Sequence, residues 1–204
     1  MAILSASTSL TRYRIIDDIP ESLWADIPDL IHSYCFEDID ASSDESSSGW
    51  VPFEDPFDTE WKESSFYRGE YLTFSLRLDT RRVPLAVLKK YYKMGLDDLL
   101  ARNKDKGRHF VSKEEKKELR EQTRLRLLQR SLPVPAYFDV VWNSQTQKVY
   151  LSSTTKKIRE LFEEKFTQTF DLHLEPCTPF FHALGLLGQS SKEELVSYEP
   201  CLFV

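Results

Sequence analysis

Two prolines, Pro84 and Pro133, bracket a pair of helical runs that interrupts segments of β character. This interruption limits the fold more than any other feature of the chain. From Pro84, an allowed first-turn residue, Leu85, Leu88, Tyr92, Leu96 and Leu99 recur at spacings of 3, 4, 4 and 3, which is one face of a helix. Residues 103–109 (NKDKGRH) predict a basic turn. A second helix is predicted from Ser112, where Ser112-Lys113-Glu114-Glu115 matches a capping box, and Pro133 and Pro135 stop it. On the near side, residues 71–78 (YLTFSLRL) alternate as a strand does. On the far side, residues 137–143 and 148–152 read as strands joined by an SQTQ turn.

The rest of the chain supplies partners for those strands. Residues 8–16 predict a first strand and 20–36 an amphipathic helix, with Pro28 expected to kink or divide it. Residues 37–48 (EDIDASSDESSS) read as a solvated acidic loop. A helix over 155–170, a strand over 172–176 and a short apolar helix from Pro179 follow. The expected class is α+β: an antiparallel or mixed sheet with packed helices, and an inserted, protruding basic helical hairpin. The core is assigned to residues 1–83 and 133–204, and the hairpin to 84–132.

Charge is sorted along the chain. Residues 1–80 hold 5 Lys/Arg against 17 Asp/Glu, 81–130 hold 16 against 7, and 131–204 hold 6 against 9, within a net charge of -6. A local positive field of this kind attracts a polyanion even when the whole molecule is anionic. On a helical wheel, Lys113, Lys116, Lys117, Arg120 and Arg124 fall in one sector roughly 100° wide. Glu114, Glu118 and Glu121 fall opposite, near Leu125, Leu128 and Leu132, so that side is expected to dock inward. Lys113 with Lys117, Lys116 with Arg120, and Arg120 with Arg124 are like-charged i,i+4 pairs, each costing about 0.2–0.5 kcal/mol in an isolated helix. The stripe is about 16 Å long, enough for two or three phosphate contacts.

Lys89, Lys90 and Lys93 on the preceding helix, with Lys104, Lys106 and Arg108 in the turn, extend the candidate nucleic-acid surface. Tyr91, Tyr137 and Phe138 are candidates for stacking on bases, or else for ordinary core packing. Two blander readings stand beside this one. The stripe is solvated surface, or it docks on the acidic N-terminal third of this chain or of a second copy.

Other chemistries are poorly supplied. The carboxylates Asp38, Asp40, Asp44, Glu45, Glu54, Asp55, Asp58 and Glu60 lack a spacing that would hold Mg²⁺ for a nuclease and read as acidic surface. His173, Cys177 and His182 make three ligands without a zinc-site spacing and read as packed residues. GxSxG, HExxH and a glycine-rich phosphate loop are missing from a chain with six glycines. No catalytic residue, metal site or cofactor is expected. Cys35, Cys177 and Cys201 contain no CxxC pair and are expected to be buried small hydrophobes in a reducing compartment. The start, MAILSASTSLTRYR, is unlike a signal peptide, and no run approaches the roughly 18 apolar residues of a membrane span, so a cytoplasmic protein is expected.

Several segments together resemble the RdgC family of recombination-associated proteins. In order they are the strand around residues 13–16, Gly49-Trp50-Val51-Pro52, YLTFSLRLDTRRVPLAVLKK, the Lys/Glu-rich helix ending in LLQRSLP, VVWNSQTQKVYLSSTTKKIRELFEEKF, and HLEPCTP. The resemblance covers roughly residues 10–180. It implies a non-enzymatic, sequence-independent DNA-binding protein, nucleoid-associated, forming a homodimer around duplex rather than single-stranded DNA. It also implies a functional link to RecA-dependent strand exchange. Typical members continue beyond the equivalent of Val204, so the resemblance implies a short member without the part that helps close a ring. Relatives carry a basic and aromatic run after the helix-ending Leu-Pro. Here Val134-Pro135-Ala136-Tyr137-Phe138 is shorter and has no arginine, and the aromatic role passes to Tyr137 and Phe138. The alternative function is a protein-interaction module whose basic hairpin engages an acidic protein surface without binding DNA.

Overall fold

In the computed structural model, residues 3–42, 44–59, 61, 66–105 and 107–198 are described. The strands and helices, in chain order, are β1 (Thr11–Ile15), α1 (Leu23–Ser33), β2 (Ser46–Val51), β3 (Tyr67–Arg68), β4 (Tyr71–Arg81), α2 (Leu85–Asp105) and α3 (Lys113–Gln129). They continue with β5 (Pro133–Asn143), β6 (Lys148–Leu151), α4 (Lys156–Phe170), β7 (Leu174–Pro176), α5 (Pro179–Leu187) and, after one 3₁₀ turn, α6 (Lys192–Ser197). The class is α+β. Among the described residues one seven-stranded sheet runs β2-β4-β5-β6-β1-β7, with β3 paired to β4. The pairs β1–β6, β1–β7, β3–β4 and β5–β6 are antiparallel.

Two compact units divide the chain. One comprises residues 1–36, 49–77 and 137–204, the other residues 37–48 and 78–136. In the first, strand alternation sends one set of side chains onto α4. Tyr13, Trp50, Phe74, Trp142, Phe162 and Phe166 are fully buried, and Phe170 nearly so. Their rings meet at tilted and edge-on angles: Trp50 lies 5.0 Å from Phe74, Trp142 5.4 Å from Phe166, and Tyr13 5.6 Å from Phe162. The Trp50 indole N–H donates to Thr169 Oγ1 at 2.8 Å, so of the cluster's two indoles this one is buried with its polar atom paired.

Gly49 explains the start of the GWVP run. The segment after α1 crosses β2 here: Trp50 N–H donates to the Tyr34 carbonyl and Phe36 N–H to the Trp50 carbonyl, both at 3.0 Å. A Cβ at Gly49 would stand 2.5 Å from the Phe36 backbone, so only glycine allows the crossing.

Four sequence expectations are corrected. Pro28 does not divide α1, which runs unbroken through it. Proline removes the N–H that would bond the Trp24 carbonyl, and the Tyr67 hydroxyl donates to that carbonyl instead, at 2.5 Å. The serine run is not all loop, because Ser46–Ser48 begin β2. Strand β5 starts at Pro133 rather than at Tyr137. Cys35 and Cys177 are half-buried free thiols rather than fully buried ones, and Cys201 lies outside the described residues.

In the second unit α2 and α3 form an antiparallel pair. Leu88, Tyr92, Leu96, Leu99 and Leu100 are half-buried and Asn103 buried on α2; Leu119 and Leu127 are half-buried and Thr123 buried on α3. Gly95 lets the helices come close, since a Cβ there would stand 3.1 Å from Leu119 Cδ1. The expected capping box is present: Glu115 N–H donates to Ser112 Oγ at 3.1 Å and Ser112 N–H to Glu115 Oε2 at 2.7 Å. At the tip, Gly107 adopts φ +75°, and Asn103 Nδ2 donates to the Phe110 carbonyl at 3.2 Å.

Arg81, at the end of β4, is the fixed point of this unit. Its Nη1 donates to the Ser131 carbonyl at 2.8 Å. Its Nη2 donates to those of Ile39, Asp40 and Ser42 at 2.6, 3.2 and 3.1 Å. The guanidinium thus ties the chain after α3 to the 39–42 loop, with its charge set against carbonyl dipoles at a helix C-terminus.

Candidate nucleic-acid interface

The cations of α3 lie on the side the wheel assigns them, but the docked side is only in part the one expected. Leu125 is 47% exposed, whereas Leu128 is 4% exposed. The helix packs on Leu119, Thr123 and Leu127, an i, i+4, i+8 row bordering the cationic sector. Thr123 can sit in this row because its hydroxyl donates to the Leu119 carbonyl at 2.7 Å. The correction has a consequence for charge. The cationic sector flanks the helix–helix seam instead of pointing directly away from it, so the groove beside the seam carries charge from both helices.

On one edge of the α2–α3 pair, Leu85, Leu88 and Tyr92 floor a shallow groove with Lys89 on one lip and Arg120 on the other. Lys113, Lys116 and Lys117 are exposed along the same sector of α3 as Arg120. On the other edge the charges are mixed: Asp98, Arg102, Glu115, Glu118 and Arg126 line one hollow. The pair therefore has one cationic edge and one edge of alternating sign.

The remaining candidates separate. Lys90 and Lys93 are exposed on the side of α2 turned from α3 and do not join this edge; Lys90 Nζ lies 5.6 Å from the ring centre of Tyr91. Lys104 is exposed in the last turn of α2. Arg108 is exposed at the tip, close enough to Glu115 to act on its carboxyl. Lys106 lies outside the described residues. Tyr137 and Phe138 belong to the first unit. Tyr137 packs edge-on against Phe57 at 6.3 Å, and Phe138 is half-buried.

Arg124 is committed within the protein. Its Nη2 donates to both carboxylate oxygens of Glu45, at 2.9 and 2.8 Å, and its Nη1 to Glu121 at 3.1 Å. Glu45 foremost, with Glu121, pushes the Arg124 guanidinium further up, so it stays protonated. One member of the stripe thus docks on the acidic segment, as one of the blander readings expected. Lys113, Lys116, Lys117 and Arg120 are left exposed. The wheel could not find this pair, because Glu45 is 79 residues away in sequence.

A second group of cations was missed in the sequence. Arg12 and Arg14 of β1 and Lys148 of β6 line hollows beside α5, with Cys177 and His182 on the wall. Period-two alternation in TRYRI was the available signal: Tyr13 and Ile15 are buried, which turns Arg12 and Arg14 to the other face.

Among the described residues, no group of three His, Cys, Asp or Glu is placed to hold a metal ion. His173 Nδ1 lies 3.1 Å from Asp17 Oδ2, and the Asp17 carboxyl, which also accepts from the His173 N–H, is held below its usual range by that bond. No described helix is long and apolar enough to cross a membrane.

No curated protein matches the chain. A family model described as "Putative exonuclease, RdgC" matches residues 8–180 of the 204. The match takes in every strand, the α2–α3 pair and the start of α5, and the chain belongs to the RdgC family.

Proposed function

We propose that the protein is a sequence-independent, non-enzymatic DNA-binding protein acting in recombination and replication as a homodimer on duplex DNA. One observation carries this reading: Lys89, Lys113, Lys116, Lys117 and Arg120 gather on one edge of the α2–α3 pair, while the other edge is mixed in sign. Lysine and arginine on phosphate oxygens position a duplex without reading its bases, so contact by this edge is sequence-tolerant. Exposed like charges along a helix cost stability in the free protein, and that repulsion is relieved when phosphates lie opposite them, with release of the DNA's counterions as a further gain. Contact of this kind along a duplex would restrain strand exchange by a RecA-type recombinase, the functional link that the resemblance implies.

The test is retardation of a labelled duplex by wild type and by K113E/K117E/R120E, across salt from about 50 to 200 mM. Arg124 is left intact because it anchors Glu45. Loss of the shift together with a shallower salt dependence supports the reading, and an unaltered shift overturns it.

Two observations favour other readings. The Arg124–Glu45 pair shows that this sector accepts carboxylates, as a protein-interaction module would require. In that case the triple variant loses a protein partner or self-association and keeps whatever DNA affinity the wild type has. The family description names an exonuclease. An end-labelled duplex incubated with purified protein and Mg²⁺ decides this point, because progressive shortening would overturn the non-enzymatic assignment.

A further inference from the structure

The geometry points to a second DNA-backbone site, in the first unit, formed by Arg12, Arg14 and Lys148 beside α5. This inference rests on the DNA-binding reading above and adds a contact surface to it.

Antiparallel register sets Arg14 directly opposite Lys148 on β6 and opposite Glu175 on β7. Arg12 lies two residues along β1, on the same face. Like charges directly opposite each other in a sheet are destabilising, and nothing in the packing of this face requires them. Their concentration is also out of proportion to the composition. Residues 1–80 contain only five Lys/Arg, and two of them are Arg12 and Arg14.

One carboxylate answers these three cations. Arg14 Nε donates to Glu175 Oε2 at 2.6 Å, which leaves Arg12 and Lys148 uncompensated among the cleft's lining residues. The two hollows share Arg14, Cys177 and His182 and so adjoin, forming one open cleft region. The chain is held against it in both places: just before α5, Cys177 N–H donates to the Arg12 carbonyl at 2.8 Å, and within α5 a Cβ at Gly185 would stand 3.5 Å from Arg14 Nη1.

Adjoining open hollows with cations at intervals along a strand suit an extended polyanion better than a small enclosed phosphate. Arg12 and Arg14 repeat at about 6.8 Å along the strand, close to two base rises of one nucleic-acid strand at about 3.4 Å each. The lining has two rings, those of the neighbouring Phe181 and His182, so it offers phosphate contacts without a row of stacking platforms.

The experiment uses the full chain and a labelled duplex oligonucleotide. R12Q/K148Q is compared with the charge-conserving R12K/K148R and with the hairpin variant K113E/K117E/R120E, after equal thermal midpoints have been verified. The neutral pair is expected to reduce the slope of log K against log salt by about 1.8, two phosphate contacts, and to weaken binding about tenfold at low salt. The charge-conserving pair is expected to match wild type. An unchanged slope in R12Q/K148Q, with the hairpin variant still defective, overturns the cleft and leaves the DNA-binding reading standing. If wild type itself retains no duplex at low salt, both fall. Loss of binding to an anionic vesicle or a phosphopeptide, with duplex affinity intact, assigns the cleft to another polyanion and overturns it as a DNA site.

Discussion

Gly49 and Arg81 do their structural work through backbone atoms, and substitution at either position is felt across a unit. At Gly49 an added methyl group would meet the Phe36 backbone at 2.5 Å, where no side-chain rotamer can move aside. Gly49→Ala is therefore expected to lower stability by about 1–3 kcal/mol through overpacking, read as a lower thermal midpoint. A midpoint equal to wild type would mean that the crossing of β2 is looser than described. Arg81 is buried and answers four carbonyls within 3.2 Å. Arg81→Met keeps much of the volume and removes every donor, with an expected loss on the order of 3 kcal/mol. Arg81→Lys is expected to recover only part of it, since one ammonium cannot reach both sets of carbonyls as a planar fork does. Full recovery by lysine in a denaturant titration would show that charge, not the fork, holds the loop.

At the level of elements, α3 carries a pH dependence whose sign follows from its capping box. Glu115 accepts the Ser112 N–H, the largest cause holding its carboxyl below the usual glutamate range. Because the folded value is depressed, the cap's contribution is complete above the unfolded value and is lost as pH falls through the folded one. The amides of the first turn of α3 are expected to lose hydrogen-exchange protection as pH falls through and below the usual glutamate range, beyond the intrinsic change in exchange rate. Glu115→Gln, which keeps an acceptor but cannot titrate in this range, is expected to abolish that dependence. A wild-type protection factor that stays flat would mean that the box contributes nothing at the tip.

Elements of this kind were legible because their signals are local. The spacing in α2, the Ser112–Glu115 box and the SQTQ turn each fix a few adjacent residues. What the sequence concealed depends on distant partners. Pro28 reads as a kink or a break, and the break is avoided because Tyr67 supplies the missing donor, from 43 residues away from Trp24 and so invisible to local pattern. Leu125 was read as docked because leucine and charge outweighed Thr123, a residue that enters the seam only by satisfying its hydroxyl on its own helix. In β4, alternation marks Leu72, Phe74 and Leu76, yet Thr73, Ser75, Arg77 and Arg81 are buried as well. Ser75 Oγ donates to Asp139 at 3.1 Å, and the Arg77 guanidinium lies 4.1 Å from the ring centre of Phe36. A polar face covered in this way has no signature within the strand itself.

For the whole molecule, the sorting of charge means that net charge is a poor guide to binding. The chain carries -6 overall, yet polyanion contact depends on how many cations reach phosphates and not on the total. Part of the sorting is consumed internally, since Glu45, from the acidic third, holds Arg124, from the basic segment. This pair is exposed, so its contribution to stability is small, and its larger effect is to withhold a cation from the edge it borders. Glu45→Gln removes the carboxylate's charge while keeping hydrogen-bond acceptors near the Arg124 guanidinium. Duplex affinity at low salt is expected to rise and the salt slope to steepen by about 0.9, the increment for one further phosphate contact. The same substitution changes net charge by a single unit, which long-range attraction alone would register as a small, slope-neutral gain in association rate. A steeper slope assigns the effect to Arg124 engaging phosphate. An affinity gain without a change of slope assigns it to the field of the acidic segment, and would mean that Arg124 is only a strut between that segment and α3.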